Sequence, residues 1–190
     1  MRRFSCVLIF LVLCGSDSVF TQGPIIPGPR PKPRREQVMK LLEVGETAPD
    51  WQLTSAQGQK HSLSSYRGRV VVMDFWATWC LPCAKVMPRM QKLHEKLSNR
   101  GVVVFGINSW ENADAIDSMT KKGYSYGLIL NGEKIAEAYK VTTLPVVYIV
   151  GLDGKIIYCH EGEDHKDLSG VIEKYFKGKR DTKMISTRLH

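Results

Sequence analysis

The sequence predicts an α/β domain built on a central mixed β-sheet with helices on both faces. Three observations carry that prediction. Residues 70–77 form an apolar run interrupted only by Asp74, the pattern of a strand buried on both faces. Val86, Met90, Leu93 and Leu97 then recur at steps of four, three and four, which is the stripe of an amphipathic helix. Further on, Asp153-Gly154 separates two short β-rich runs, a strong short-range hairpin signal.

The other elements follow in chain order. Residues 51–54 and 59–63 flank the turn signal Ala56-Gln57-Gly58 and predict an N-terminal β-hairpin extension. A helical turn over 62–68 closes on Gly68. The helix over 82–97 contains Pro88, which lacks an amide donor and is expected to kink it. A second buried strand covers 102–107, and helices cover 113–122 and 135–139, with a short extended piece at 126–130 between them. Strands at 146–150 and 156–159 meet at the Asp153-Gly154 turn. A closing helix over 164–176 carries Leu168, Val171, Ile172, Tyr175 and Phe176 on its apolar side. The order βαβ, α, ββα places one domain at residues 40–178. Residues 179–190 show no pattern and are expected to form a basic, flexible tail.

The N-terminus reads as an export signal over residues 1–21. Arg2 and Arg3 precede an apolar run over 4–13 broken only by Ser5, and small or polar residues follow at 15–18. The run is far shorter than the roughly 20 residues that span a bilayer. An alternative makes Cys14 a lipidated residue, although Leu13 stands where such signals want a small side chain. Residues 22–39 form a basic linker, with five prolines and two glycines between 22 and 35. The expected location is therefore extracytoplasmic, periplasmic or secreted. Outward-facing membrane anchoring is the alternative if the N-terminus is retained or lipidated.

Charge narrows the function classes. The chain of 190 residues carries a formal net charge of +8, but residues 1–40 hold seven Lys/Arg against Asp17 and Glu36. Residues 175–190 hold five against Asp181, which leaves the middle of the chain close to neutral. Basicity in the two ends argues against a nucleic-acid-binding face on the domain. Removing the leader takes Cys6 and Cys14 with it and leaves Cys80, Cys83 and Cys159, too few and too odd a set for a disulfide framework.

Cys80 and Cys83 are the candidate chemistry. Two thiols separated by two residues can shuttle electrons, clamp a metal or staple a fold. Their position where a buried strand gives way to a helix matters, because unpaired amides and the helix dipole there favour a thiolate over a thiol. For such sites thiol pKa values fall from roughly 8.5 into a range of about 3.5–7.5. Cys80 is the expected exposed nucleophile. Cys83, one turn in, is the expected resolving thiol, with Pro82 in a first turn that does not need its missing amide.

The stretch "DFWATWCLPC" at 74–83 resembles the active-site strand and loop of the thioredoxin fold. The longer text resembles the exported TlpA/ResA-like thiol-disulfide oxidoreductases in "VGETAPDWQL" at 44–53, Met87-Pro88, and "TLPVVYIVGLDGK" at 143–155. The resemblance covers about residues 43–176 and implies a thioredoxin fold and disulfide exchange with cysteines of partner proteins. It implies no organic cofactor, an electron-donating or electron-accepting redox protein as second partner, and more often reduction, including service to cytochrome c maturation or envelope redox homeostasis. It places Pro145 as the cis-proline facing Cys80–Cys83. Leu144 beside it would hold an extended partner peptide, and Trp79 would stand next to the disulfide in the same substrate-binding surface.

Exported relatives usually carry a glutamate three residues after the second cysteine, and here Val86 stands there. Asp74, six residues before Cys80, occupies the place of the buried aspartate of cytoplasmic thioredoxins. A carboxyl buried in a strand has a raised pKa and can accept the Cys83 proton. Of the remaining residues, Cys159 is expected to be a small buried hydrophobe, with a third redox thiol or an intermolecular disulfide as the alternative, Trp76 core, and Trp110 a loop residue that lines the partner groove or, equally, a surface tryptophan over a helix. The five histidines show no spacing that pairs with a thiol. The alternatives are a metal-binding or chaperone module using the Cys80–Cys83 pair, or a peroxiredoxin-like peroxidase. Structural zinc usually needs four ligands, and the peroxidase nucleophile follows a Thr-x-x-Cys pattern whereas Thr78 lies only two residues before Cys80.

Overall fold

The computed structural model describes residues 40–55, 58–110, 121–165 and 167–188. The expected leader, most of the expected linker, Cys6, Cys14, Ala56, Gln57 and most of the helix expected over 113–122 lie outside the described residues.

The sheet is organised around β3 (Val70–Trp76), whose seven residues are all buried. β3 runs parallel to β4 (Val102–Asn108), with Val70 opposite Val102 and Trp76 opposite Asn108. On its other side it runs antiparallel to β6 (Val146–Val150), with Phe75 opposite Val146. β5 (Gly127–Ile129) extends the β4 edge in parallel and β7 (Ile156–Glu161) extends the β6 edge antiparallel, giving the order β5-β4-β3-β6-β7. β1 (Gln52–Thr54) and β2 (Lys60–Ser62) form a separate two-stranded antiparallel pair, the expected hairpin extension. The turn between β6 and β7 needs Gly154: its φ is +80°, and a Cβ there would lie 1.4 Å from an Arg67 nitrogen.

Strand alternation sorts the core into two faces. Val70, Val72 and Trp76 pack with α1 (Cys83–Leu97) and with Leu168 and Ile172 of the last helix. Val71, Met73 and Phe75 pack on the opposite face against Ile135 and Ala136 of α2 (Glu133–Ala138), Tyr139, Trp51 and Leu42. The predicted thioredoxin fold, a mixed sheet with helices on both faces, is the observed one. α1 buries Cys83, Val86, Met87, Met90, Leu93 and Leu97, the expected stripe, and keeps Pro88 on its exposed side.

Several helix boundaries differ from expectation. α3 begins at Leu168 rather than 164 and runs on to Arg188, through the segment expected to be a flexible tail. The start is set by Asp167, whose carboxylate accepts the Ser169 amide at 3.0 Å and whose carbonyl accepts that of Val171 at 3.1 Å. The extension past Phe176 carries no apolar stripe. It is anchored by Lys179, which meets Asp153 at 3.1 Å and lies 5.5 Å from the Tyr175 ring centroid. α2 also starts two residues early, at Glu133, behind Gly132.

Candidate active site

β3 ends at Trp76, and the strand end is held in place. The Trp76 carbonyl accepts the Ser109 amide at 3.2 Å and the Asn108 side-chain amide at 3.5 Å, both from the end of the neighbouring β4. From that fixed point Ala77 to Pro82 leads into α1, whose first residue is Cys83. The helix therefore starts one residue later than expected, with Pro82 at its N-cap in helical conformation (φ −62°, ψ −33°).

Cys80 and Cys83 form a disulfide, with an S–S distance of 2.01 Å and Cα atoms 5.3 Å apart. The Cys83 amide also donates to Cys80 Sγ at 3.2 Å. Both cysteines are largely covered: Cys80 is 6% exposed and Cys83 1%, so the expected exposed nucleophile is only marginally the more accessible of the two. The exposed apolar groups around the loop are Trp79, at 62%, and Leu81, at 84%.

The Leu144-Pro145 peptide bond is cis. Because Val146 pairs with Phe75, Pro145 falls at the C-terminal end of β3, the end from which the cysteine loop departs. The segment is tied to the strand that follows: the Pro145 carbonyl accepts the Gly162 amide at 2.9 Å, and the Thr143 hydroxyl donates to Glu161 at 2.6 Å. Beyond it, Glu163 reaches α1, its carboxylate meeting Lys85 at 2.7 Å and its carbonyl accepting Arg89 at 2.9 Å. The loop after β7 is thereby pinned to the first turns of the helix that carries Cys83.

Asp74 is fully buried, and among the described residues neither carboxyl oxygen has a hydrogen-bond partner. Loss of solvent pushes its pKa up to about 8. Alternation along β3 puts it on the same face as Val72 and Trp76, the face that packs against Cys83 and α1. Val86, the position where relatives carry a glutamate, is a fully buried member of that same cluster.

Of the other residues singled out in the sequence, Trp76 is core, at 0% exposure. Trp110 is 44% exposed in a left-handed conformation, φ +66°, with its amide donating to Glu133 at 2.7 Å. Cys159 is a free thiol, half-buried, opposite Tyr148 in the sheet and packed on the face away from Cys83. His160 and His165, which no spacing rule paired, come together: His160 meets Asp164 at 2.9 Å and the two rings lie 5.4 Å apart. Burial holds His165 down to about 4. No group of three or more metal-ligating side chains occurs among the described residues. Sequence reasoning missed Gly106 and Tyr126, which border Asp74. The visible signal was a glycine inside the strand text "VVVFGIN", a mark of close approach.

Comparison with known proteins is consistent with this arrangement. The AhpC/TSA family matches residues 44–159. The thiol-disulfide oxidoreductase ResA of Bacillus thuringiensis subsp. konkukian is 33% identical over 178 residues, covering 90% of this chain and 92% of the relative. A thiol:disulfide interchange protein DsbE from Chlorobium tepidum superposes with a TM-score of 0.64 at 28% identity, covering 70% of this chain and 97% of that one. A protein disulfide isomerase structure from Bacteroides thetaiotaomicron gives 0.66 at 28% identity, over 73% of this chain and 93% of the other.

Proposed function

This chain belongs to the AhpC/TSA family and is, within it, a thiol-disulfide oxidoreductase of thioredoxin fold, and from that premise we propose that it reduces protein disulfides outside the cytoplasm. Cys80 attacks, Cys83 resolves, Asp74 moves the proton, and Leu144, Pro145 and Trp79 hold the partner chain. Substrates are proteins bearing thiols or disulfides. The single observation that carries the reading is the Cys80–Cys83 disulfide at the start of α1, with the Cys83 amide directed at Cys80 Sγ.

The reaction begins from the dithiol. Cys80 thiolate attacks one sulfur of the substrate disulfide; a Cys80–substrate bond forms, and the other substrate sulfur leaves as a thiolate and takes a proton. Cys83 then loses its proton to Asp74, so its S–H bond breaks as a carboxyl O–H forms. The Cys83 thiolate attacks Cys80 Sγ, the Cys80–substrate bond breaks, and the second substrate sulfur departs as a thiolate that takes up the proton given back by Asp74. Two electrons pass to the substrate, and the Cys80–Cys83 bond is left to be reduced by a donor redox protein. A carboxyl raised to about 8 suits the base, since proton transfer is most efficient when its pKa lies near the working pH.

Export rests on the cationic, apolar and small-residue order of residues 1–21 and on the basic proline-rich stretch at 22–39. Among the described residues no helix is long and apolar enough to cross a membrane. The alternative reading is membrane anchoring through an N-terminus that is retained or lipidated at Cys14.

Equilibration of the Cys80–Cys83 pair with glutathione tests the direction. A potential well below about −200 mV is expected for a reductase, and a value near −120 mV would make the protein an oxidant. Cys80→Ser is expected to abolish insulin-disulfide reduction. Full activity in that variant, or stoichiometric metal held by the reduced wild type, would remove the exchange mechanism.

A further inference from the structure

Among the described residues, both carboxyl oxygens of Asp74, Trp76 Nε1 and the Tyr126 hydroxyl are buried on the Cys83 face of the sheet without a hydrogen-bond partner. Their residues are 0%, 0% and 2% exposed. Native proteins leave few such atoms unsatisfied, and a concentration of them marks a bound water or a chemical role. These four share one place. Asp74 is opposite Gly106 across the β3–β4 pairing. A Cβ on Gly106 would lie 2.9 Å from Trp76 Nε1 and 2.9 Å from Tyr126 Cε2, so both rings lean into the space that a side chain at 106 would fill. Trp76, two residues on from Asp74, projects to the same face.

Tyr126 is fixed there from outside. Ser125 next to it exchanges two hydrogen bonds with Gln91 of α1, its amide donating at 2.8 Å and its hydroxyl accepting at 2.9 Å. The ring of Tyr124 packs edge-on against that of Tyr126, with centroids 6.0 Å apart. The helix that presents Cys83 and the phenol beside Asp74 are thus locked to each other.

We infer that Tyr126 is the positioning residue for the Asp74 proton, its hydroxyl and Trp76 Nε1 holding the ionised carboxylate through a shared bound water beside Asp74. Two donors and two carboxyl oxygens supply the two to four polar partners that a buried water requires. A donor to the charged form favours it, so this contact opposes the desolvation that raises Asp74. The inference rests on Asp74 being the proton acceptor for its catalytic meaning, though not for its physical test.

The groups facing the site are few. β3 contributes Asp74 itself, and α1 contributes Cys83. The segment before β5 contributes Tyr126, with Tyr124 behind it. Neighbouring positions on β4, β6 and α3 are Val104, Val147 and Ile172, which are apolar, and one strand further out β7 places the titratable His160 opposite Val147 and Tyr158 opposite Ile149. Among the described residues no charged side chain perturbs Asp74.

The test is the carboxyl infrared band of Asp74 in the oxidised full-length protein, assigned by its loss in Asp74→Asn and followed against pH. Tyr126→Phe removes one hydroxyl and keeps the ring, so the fold is retained and a thermal melt verifies it. The expected result is a titration midpoint higher by about one pH unit in Tyr126→Phe than in wild type. The rising limb of the turnover profile is expected to move with it, and Tyr126→Phe should add nothing in an Asp74→Asn background. Gly106→Ala, which pushes both rings aside, should shift the midpoint in the same direction. Identical midpoints in wild type and Tyr126→Phe would overturn the inference. If Asp74→Asn turns over like wild type, the catalytic role of Asp74 falls, while the infrared midpoints still decide whether Tyr126 governs its proton.

Discussion

The amide of Cys83 donates to Cys80 Sγ at 3.2 Å, from the first residue of α1 to a sulfur just outside the helix. In the reduced protein the same donor, together with the positive end of the helix, is placed to stabilise a thiolate on Cys80 and not on Cys83. The expected outcome is selective alkylation. Reduced protein treated with iodoacetamide at pH 6 should be modified at Cys80 at least about tenfold faster than a free cysteine, whose pKa near 8.5 leaves it almost wholly protonated. Peptide mapping checks the site, and equal labelling of Cys80 and Cys83 would refute the assignment of nucleophile.

Cys159 belongs to the other side of the sheet. Its side chain packs with the cluster around Phe75, Tyr139 and Tyr148, and partial burial raises its thiol pKa further. A thiol so placed has no path to the Cys80–Cys83 bond without opening the sheet. Cys159→Ala is therefore expected to leave both the potential of the pair and insulin-disulfide turnover within about twofold of wild type, with a melting point lowered by a few degrees at most. A shifted potential, measured against glutathione, would bring Cys159 into the exchange.

The contrast between these cysteines shows what the sequence could convey. Strand β3 was legible because burial on both faces leaves a nearly continuous apolar run, and α1 because its stripe is local. The cysteine pair and Pro145 were legible as short motifs, each lying within a few residues. The start of α3 was ambiguous, since Asp164 and Asp167 are both plausible caps and only the fold assigns Asp164 to His160 and Asp167 to the helix. Its continuation to Arg188 was hidden because residues 177–188 carry no apolar stripe. The surroundings of Asp74 were hidden for a different reason. Gly106 and Tyr126 reach it only through the parallel register of β4 and β5, which joins Asp74 to Gly106, 32 positions on (106 − 74), and Phe105 to Gly127, 22 positions on (127 − 105), with no local signal.

Trp79 offers a test of partner binding separate from chemistry. Its ring is 62% exposed beside the disulfide, so truncation removes little packing from the core. Trp79→Ala is expected to shift stability by less than about 1 kcal/mol. It should raise KM for a protein disulfide severalfold, because aromatic side chains supply a large part of interface energy. Turnover of a small disulfide such as oxidised glutathione should be nearly unchanged. Equal losses on protein and small substrates would place Trp79 in the reaction itself.

Asp74 makes the sharpest prediction, because one carboxyl should govern both stability and rate. Its folded pKa is about 8 against an ordinary value of 3.8. The folded state therefore keeps a proton that the unfolded chain releases, and folding is favoured by this group most fully below about pH 4. That advantage is lost progressively as pH rises and is gone above about pH 8. Asparagine at this position has no charge to desolvate. Urea unfolding should thus show wild type losing stability between pH 5 and 8.5 relative to Asp74→Asn, by an amount on the order of a few kcal/mol. Turnover should move oppositely. At pH 7 to 8 Asp74→Asn lacks the acceptor for the Cys83 proton, so resolution of the mixed disulfide should slow by about tenfold or more, within the range for lost general-base catalysis. Formation of that mixed disulfide by Cys80 should proceed at nearly the wild-type rate. Equal turnover of the two proteins from pH 6 to 9 would remove Asp74 from the mechanism, and a stability difference that does not vary with pH would show that its carboxyl ionises normally.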